Sequence, residues 1–437
     1  MTGMSRRALV AGAAASLLLG GCRRGAGTGV SDADVRKALD DGGRLTLWTW
    51  DPAILQVLQA FQQAYPKVGI NIEDNGLQDQ EYGPLADAVK AGTGPDLVQI
   101  EYYALPQFMA ANALADLGPY GAAQLAGSFT PLAWNSVRSA GGVYGLPLDS
   151  APTVLLYNKQ LFDKYAVTVP STWEDYVTAA QRLRASDPKL RLTGHANDAG
   201  FTTSMIWQAG GEPYRVDGRQ VGVDFLGDAG TRKFAALWQR LIDGKLLAPA
   251  SPDYDDWFAG LRDGTVASQL VGARSLADFV LDVPAGQGTW RVAPMPQWTA
   301  GRADASESGG SCLAVPAAGR NKAIAWAFAR FAAVGQGARL RAEYGTFPAT
   351  TAELGDAALR DKAFPFFGGQ QVNRVLADAA DHVVPGWTYL PFQAYANKAF
   401  RDTAAKAYTG DGTLLDGLKA WQDATTDYGR KQGFTIA

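Results

Sequence analysis

The chain has 437 residues, of which 47% are hydrophobic and 19% are charged, and its formal net charge is −3 at pH 7. This length predicts two or three domains, and the slightly acidic balance excludes a nucleic-acid binder, which needs a basic face. With only two cysteines, Cys22 and Cys312, the chain is not a disulfide-stapled scaffold.

The N-terminus has the order of an export signal. Arg6 and Arg7 precede an uncharged, mostly apolar run over residues 8–21, which is too short to span a bilayer. The run ends in the letters LGGC, which resemble a lipobox whose cysteine, Cys22, becomes lipid-modified. We therefore expect a signal peptide over residues 1–21, and the paired arginines leave twin-arginine export open. A buried N-terminal helix is the alternative.

After this signal the chain changes composition and then alternates strand and helix. Residues 22–42 are rich in Gly, Arg, Asp and Ser and predict a tether. Residues 45–50, 69–73 and 96–100 predict strands, and helical spacing of apolar residues follows the first two of them. The order strand, helix, strand, helix, strand predicts a parallel α/β layer.

The stretch over residues 142–184 is the most informative of the chain. It contains the strand TVLLY at residues 153–157, and Ser171 with Glu174 predicts a capping box that begins a helix. One face of that helix carries the apolar positions Trp173, Tyr176, Val177 and Ala180.

Later segments predict further helices and strands. A helix over residues 234–242 ends at Gly244, another begins at Asn321, and strands cover residues 266–270, 290–293 and 313–315. Apolar neighbours at the matching period predict burial in the core for Trp173, Trp238, Trp326, Trp421 and Cys312.

The letters YGLP, YNK and TWED, in this order between residues 144 and 175, resemble the family 1 extracellular solute-binding proteins, the group that includes maltose-binding protein. The blocks LTLWTW, GTGPDLVQI, SGGSCLAVP and GTFPAT extend the resemblance over nearly the whole mature chain. It implies a two-lobed α/β fold of the type II periplasmic-binding-protein kind, with a hinge and a ligand cleft between the lobes. The implied N-terminal lobe is residues 43–150 plus 312–364, and the C-terminal lobe is residues 151–311 plus 365–437.

The resemblance implies a substrate-binding lipoprotein of an ABC importer, anchored on the outer face of the cell membrane. We expect a monomer that captures a carbohydrate, above all an oligosaccharide, by hinge closure and delivers it to membrane permease subunits. No cofactor, no metal and no catalysis are implied, and the sequence contains no hydrolase, zinc or phosphate-loop motif. Alternatives are a glycerol phosphodiester or polyol on the same scaffold, a secreted carbohydrate-active enzyme, and a surface adhesin.

Candidate ligand residues follow from what sugars require, namely flat rings against C–H faces and polar groups that bond hydroxyls. In open α/β sheets such residues gather after the strands. The N-terminal lobe supplies Trp50 and Asp51 after the first strand, and the resemblance implies ligand contacts for Glu101, Tyr102 and Tyr103 after the third, with a solvated loop as the alternative.

The segments that join the lobes supply a second group of candidates. Asp149 is either a hydroxyl acceptor or a hinge-bonding residue. The resemblance implies that Ser308, Gly309 and Gly310 lie in the second return between the lobes, where backbone N–H groups can reach a ligand.

The C-terminal lobe supplies Trp207, Arg274, Trp387 and Tyr389. The resemblance implies that Trp387 stacks on sugar, while burial in the core is the alternative for Trp207. Arg274 stands where maltose-binding protein presents a tryptophan. This departure weakens the analogy with maltose, and it raises an acidic or phosphorylated ligand as the alternative.

Overall fold

The computed structural model describes residues 29–73, 82–194, 198–249 and 254–437. In these ranges the α-helices are α1 Asp32–Asp41, α2 Ile54–Ala64, α3 Gly83–Ala91, α4 Leu105–Ala110, α5 Pro131–Ser136, α6 Lys159–Lys164, α7 Trp173–Ser186, α8 Ala199–Gln208, α9 Ala229–Asp243, α10 Tyr254–Arg262, α11 Ser275–Asp282, α12 Lys322–Ala333, α13 Gln336–Tyr344, α14 Thr351–Gly355, α15 Ala357–Arg360, α16 Val372–Ala380, α17 Gln393–Asp402 and α18 Leu414–Lys431. The strands are β1 Gly43–Trp48, β2 Val68–Glu73, β3 Leu97–Glu101, β4 Arg138–Ser139, β5 Gly142–Val143, β6 Leu146–Pro147, β7 Thr153–Asn158, β8 Tyr214–Asp217, β9 Gln220–Val223, β10 Ser268–Gly272, β11 Trp290–Ala293, β12 Ser311–Ala314 and β13 Thr435–Ile436.

The first lobe is built on a five-stranded sheet with the order β2-β1-β3-β12-β6. Strand β1 pairs in parallel with β2 and β3, which confirms the predicted parallel layer. Strand β12 arrives from residues 311–314 and runs antiparallel to β3 and β6. The hydrophobic core of this lobe combines residues before 149 with residues 312–349, so two distant pieces of chain share one core.

Helix α1 corrects the prediction of a tether that reaches residue 42. Ser31 caps this helix in a capping box with Asp34, and Leu39 is only 6% exposed within the core of the first lobe. Val35 and Ala38 pack against the same core, because positions three and four residues apart share one helical face. The composition of the segment is polar, but its few apolar residues fall on one side.

The second lobe is built around an antiparallel sheet with the order β10-β7-β11. Along β7, Val154 and Leu156 face one hydrophobic cluster and Leu155 faces another, as the two-residue period of a strand requires. Helix α7 covers one side, and all four residues of its predicted apolar face are buried. Its capping box, however, is formed by Thr172 and Asp175, one residue later than predicted.

The chain passes between the lobes in three segments, near residues 148–153, 306–311 and 346–350, which we call the first, second and third crossings. Backbone bridges join Asp149 to Pro348 and Pro152 to Glu307, so the crossings lie side by side. In the third crossing Phe347 packs into the core of the second lobe and Ala349 into that of the first. In the described part of the chain, no helix combines the length and the apolar character needed to cross a membrane.

Candidate functional site

The carboxyl ends of β1 and β3 open toward the three crossings. Parallel strands place the residues that follow them at one edge of the sheet, where open α/β sheets bind ligands. Trp50 and Asp51 follow β1, while Glu101 ends β3 and Tyr102 and Tyr103 come directly after it. The structure therefore brings these five predicted residues to the same edge.

Asp51 lies in a closed ring of buried polar side chains, which we call the crossing ring. Arg341 of α13 donates from Nε to Asp51 Oδ2 at 2.9 Å, and its Nη2 lies 3.7 Å from Asp149 Oδ2. Ser311 donates from Oγ to Asp149 Oδ1 at 2.9 Å and accepts from Gln99 Nε2. The ring is completed through Thr49, whose Oγ1 donates to Gln99 and accepts from the backbone N–H of Asp51.

The crossing ring bears on the two roles predicted for Asp149, hydroxyl acceptor or hinge-bonding residue. Its carboxylate accepts from the backbone N–H and the hydroxyl of Ser311, so it links the first crossing to the second. Burial raises the pKa of Asp149, and the positive charge of Arg341 opposes that rise. These contacts fit a hinge-bonding residue, and because the side chain keeps some exposed surface the role of hydroxyl acceptor stays a prediction as well.

Glu101 is a polar group of the site whose surroundings are mostly aromatic. Its carboxylate accepts from the Tyr82 hydroxyl at 3.2 Å, and Tyr103 is a second hydrogen-bonding neighbour. Burial raises the pKa of Glu101 to about 7, while Tyr103, Arg274 and Tyr82 act in the opposite direction. Because Arg274 belongs to the second lobe, Glu101 feels a positive charge from across the cleft.

Glu307 is a carboxylate of the second crossing that the sequence analysis did not single out. It is 4% exposed and accepts a hydrogen bond from the Ser150 hydroxyl, which ties the second crossing to the first. Burial raises the pKa of Glu307 to about 7, opposed by the hydrogen bonds from Ser150 and the Ala151 backbone. A charged residue within a Gly/Ser-rich return was the signal that could have identified it.

The backbone of the second crossing is pressed against Tyr102. Gly310 has φ +91° and a Cβ at this position would lie 2.6 Å from Tyr102 Cε2, so the close approach requires glycine. Tyr102 is 2% exposed and donates from its hydroxyl to the Asp149 carbonyl oxygen at 2.9 Å. Tyr102 is thus buried against the second crossing, within which Ser308 and Gly309 are half-buried.

Four aromatic rings form a cluster on the second lobe. Trp387 stacks on Trp207 with ring centroids 5.2 Å apart and 7° between planes, and Tyr214 and Tyr389 meet Trp387 at steep angles. Trp207 is 3% exposed and donates from Nε1 to the Val384 carbonyl oxygen at 2.6 Å. Trp207 therefore supports the half-buried Trp387 from behind.

Tyr389 joins this aromatic cluster to the carboxylates. Its ring packs against the core of the first lobe, although its neighbours in sequence belong to the second. Burial raises the pKa of the Tyr389 hydroxyl, and the negative charges of Glu307 and Glu101 raise it further. The aromatic cluster of the second lobe therefore lies near two carboxylates, Glu101 of the first lobe and Glu307 of the second crossing.

Arg274 is exposed at the start of α11, directly after β10. Its positive charge lowers the pKa values of Glu101, Asp149 and Asp278, in each case against the larger effect of burial. Its surroundings are acidic, which bears on the ligand that the site can accept.

The predicted residues therefore divide by exposure. Asp51, Tyr102, Trp207 and Gly310 are buried, whereas Trp50, Glu101, Tyr103, Asp149, Arg274, Ser308, Gly309, Trp387 and Tyr389 retain exposed surface. Cys22 lies outside the described residues. Arg341 was missed by the sequence analysis, although Ala338 and Ala342 mark its position as one on an apolar helical face. Among the side chains that the structure describes, no group of three or more His, Cys, Asp or Glu residues could hold a metal ion.

Comparison with known proteins identifies relatives across most of the chain. Residues 49–334 match the profile of the family described as bacterial extracellular solute-binding protein. An ABC transporter associated binding protein from B. animalis subsp. lactis Bl-04, solved in complex with beta-1,6-galactobiose, is 37% identical, with a TM-score of 0.81 over 90% of this chain and 99% of that one.

Two curated proteins extend the comparison. The arabinooligosaccharide-binding protein of Halalkalibacterium halodurans is 24% identical over 70% of each chain. A protein of Streptomyces antibioticus described as an uncharacterized lipoprotein in the oleD 5′ region is 24% identical over 97% of this chain and 93% of its own.

Proposed function

The chain belongs to the bacterial extracellular solute-binding protein family, and we propose that it captures a neutral oligosaccharide for an ABC importer. The fold is the two-lobed one of sugar-binding proteins of this kind. The observation that carries the proposal is the stack of Trp387 on Trp207. Tyr389 packs against Trp387, and the charges of Glu101 and Glu307 act on its hydroxyl.

The geometry matches what a sugar requires of a protein. A half-buried indole held flat by a second indole offers a rigid apolar surface to the C–H face of a sugar ring. Carboxylates accept hydrogen bonds from the hydroxyl groups of a sugar, and the Arg274 guanidinium can donate hydrogen bonds to those same hydroxyl groups. Because these groups come from both lobes, a ligand that contacts all of them stabilises the closed arrangement by its differential affinity.

The chemical class of the ligand follows from the charges around Arg274. Glu101 and Asp149 lie within electrostatic reach of that guanidinium, and Glu307 is buried at the neighbouring crossing. A phosphodiester would bring a further negative charge into this acidic surrounding and would meet mostly acceptors. We therefore favour a neutral disaccharide or short oligosaccharide, and the 37% identical relative makes a galactobiose the first one to test.

The wider setting is part of the same proposal. A signal peptide over residues 1–21 and a lipid on Cys22 would hold the protein outside the cell, beside permease subunits that accept the closed form. We propose a monomer without catalytic activity, since its relatives are binding proteins. Helix α1 packs on the first lobe, so we propose that the connection to the lipid lies between Cys22 and this helix.

The test is calorimetric titration of residues 31–437 with beta-1,6-galactobiose, an arabino-oligosaccharide, maltotriose and a glycerol phosphodiester. A ligand present at 100 times its Kd stabilises the protein by about 2.7 kcal/mol, so thermal shifts give an independent readout. We expect a neutral sugar to bind and Trp387→Ala to weaken it. Binding of the phosphodiester alone, abolished by Arg274→Gln, would overturn the choice of ligand.

A further inference from the structure

Arg341 is among the most deeply buried charged side chains of the described chain. It lies in the last turn of α13 and is 2% exposed, although a guanidinium remains charged wherever it is placed. Burying such a group is unfavourable unless its donors are matched closely. Its surroundings therefore reveal which parts of the chain it holds together.

The three nitrogens of the guanidinium reach two different segments. Nε donates to Asp51, Nη1 donates to the carbonyl oxygen of Leu148, and Nη2 lies 2.8 Å from Asp51 Oδ2 and 3.7 Å from Asp149 Oδ2. Asp51 belongs to the loop after β1, whereas Leu148 and Asp149 begin the first crossing. Only the planar fork of an arginine presents donors in this arrangement.

The contacts of Arg341 extend to the other two crossings. Asp149 accepts from the backbone and the hydroxyl of Ser311, the residue that ends the second crossing. The carbonyl oxygen of Arg341 itself accepts from the N–H groups of Gly345 and Thr346, where the third crossing begins. One residue thus connects the loop after β1 to all three crossings.

The loop in question carries Trp50. Its neighbours on either side, Thr49 and Asp51, are both members of the crossing ring and are 3% and 7% exposed. The second oxygen of Asp51 accepts from the backbone N–H of Ala53, which fixes the start of α2. The backbone on both sides of Trp50 is therefore held by the same network that holds the crossings.

We propose that Arg341 is a positioning residue for ligand binding, which couples the Trp50 loop to the crossings so that this loop and the hinge adopt their bound arrangement together. The expected change in sugar affinity rests on the proposed function, whereas the expected change in amide exchange of the unliganded protein does not. Arg341 acts through Asp51 and Asp149 rather than by contact with the ligand.

The experiment compares Arg341→Lys with a control on the same helix, Arg339→Lys. Arg339 is half-exposed and pairs with Glu343 and Asp356 at the surface, outside the crossing ring. Because coupling between sites typically changes affinity 5- to 150-fold, we expect Arg341→Lys to weaken beta-1,6-galactobiose binding by about fivefold or more. Arg339→Lys should leave the affinity within about twofold, since exposed ion pairs contribute little.

A double-mutant cycle measures the coupling between Arg341 and Trp50 in ligand binding. If Arg341 acts through the Trp50 loop, Trp50→Ala should weaken binding less in the Arg341→Lys protein than in the unmodified one. Equal losses in both backgrounds, or a lower melting temperature with unchanged affinity at 20 °C, would mean that Arg341 has only a structural role.

Hydrogen exchange of the unliganded protein separates this inference from the proposed function. Arg341→Lys should raise amide exchange over residues 49–53 and 148–150 together, while the second lobe stays protected. Unchanged exchange in residues 49–53 would overturn the inference even if sugar binds. Should Arg341→Lys fail to fold, Asp51→Asn removes the same ion pair, and the same two outcomes apply to it.

Discussion

Glu307 allows a test of the site in which no ligand is needed. Its carboxylate is 4% exposed at the second crossing, with hydrogen bonds from the Ser150 hydroxyl and the Ala151 backbone, and burial raises its pKa from an ordinary 4.5 to about 7. Glu307→Gln keeps the side-chain shape and an acceptor for Ser150 but removes the titration.

The sign of the effect follows from proton linkage. The folded protein holds the Glu307 proton up to about pH 7, whereas the unfolded chain releases it near pH 4.5, so the folded state binds more protons between these values. Stability therefore falls as the pH rises through this window. Each pKa unit corresponds to about 1.4 kcal/mol, so the ionised carboxylate lowers the free energy of unfolding by about 3 kcal/mol above pH 7.

The assay is thermal unfolding of residues 31–437 at pH values between 4.5 and 8.5. Because the unfolding entropy grows with chain length, a body of this size shifts its Tm by roughly 1 °C for each kcal/mol, so Glu307→Gln should flatten the decline of Tm across this range by about 3 °C. Glu343→Gln, at an exposed ion pair on α13, is the matched control and should retain the full decline. If Glu307→Gln declines as steeply as the unmodified protein, burial does not raise the pKa of this carboxyl group, and the reasoning fails.

Three further predictions concern the ligand platform, the second crossing and the anchor. Trp387→Ala should weaken sugar binding by about tenfold or more in calorimetric titration, because it removes an aromatic face, whereas Trp298→Ala, at another half-buried tryptophan of the second lobe, should lower stability without changing affinity. Gly310→Ala should lower the free energy of unfolding by about 2–4 kcal/mol in urea titration, because it combines a left-handed φ with a clash against Tyr102. Gly301→Ala, at φ +82° with no atom within 4 Å of the added Cβ, should lower the free energy of unfolding by less, because only the cost of the left-handed φ applies there. Equal losses in the two variants would show that contact with Tyr102 adds no cost at Gly310. Cys22→Ser should move the protein from the membrane fraction to the soluble one, while Cys312→Ser, at a buried thiol, should remain membrane-bound.

The strands and helices of the first lobe could be predicted because each obeys one period. Residues 45–50 and 69–73 alternate as strands do, and the structure has β1 and β2 within two residues of those limits. Burial of Trp173, Trp238, Trp326 and Trp421 followed from the same reasoning, and all four are at most 2% exposed. The helix over residues 32–41 was missed because its apolar residues are too few to form a visible period.

The crossing ring could not be predicted, because it depends on contacts between residues far apart in the chain. Arg341 and Asp51 are separated by 290 positions, and Asp149 and Ser311 by 162. No local pattern marks such a pair, and it is the return of β12 between β3 and β6 that brings the two crossings together. For the same reason the burial of Asp51 and Tyr102, both predicted to contact ligand, could not be foreseen from their places after β1 and β3.

Arg274, which stands where maltose-binding protein presents a tryptophan, is compatible with a neutral ligand. Glu101 ends β3 in the first lobe and Arg274 follows β10 in the second, so closure brings opposite charges together across the cleft. A sugar hydroxyl can accept a hydrogen bond from the guanidinium and donate one to the carboxylate, because it carries both a proton and lone pairs. The phosphate group of a glycerol phosphodiester can only accept, and at this position it would compete with Glu101 for the same guanidinium. The opposite charges of Glu101 and Arg274 therefore favour a hydroxyl group, which donates and accepts at once, over a phosphate group at this position.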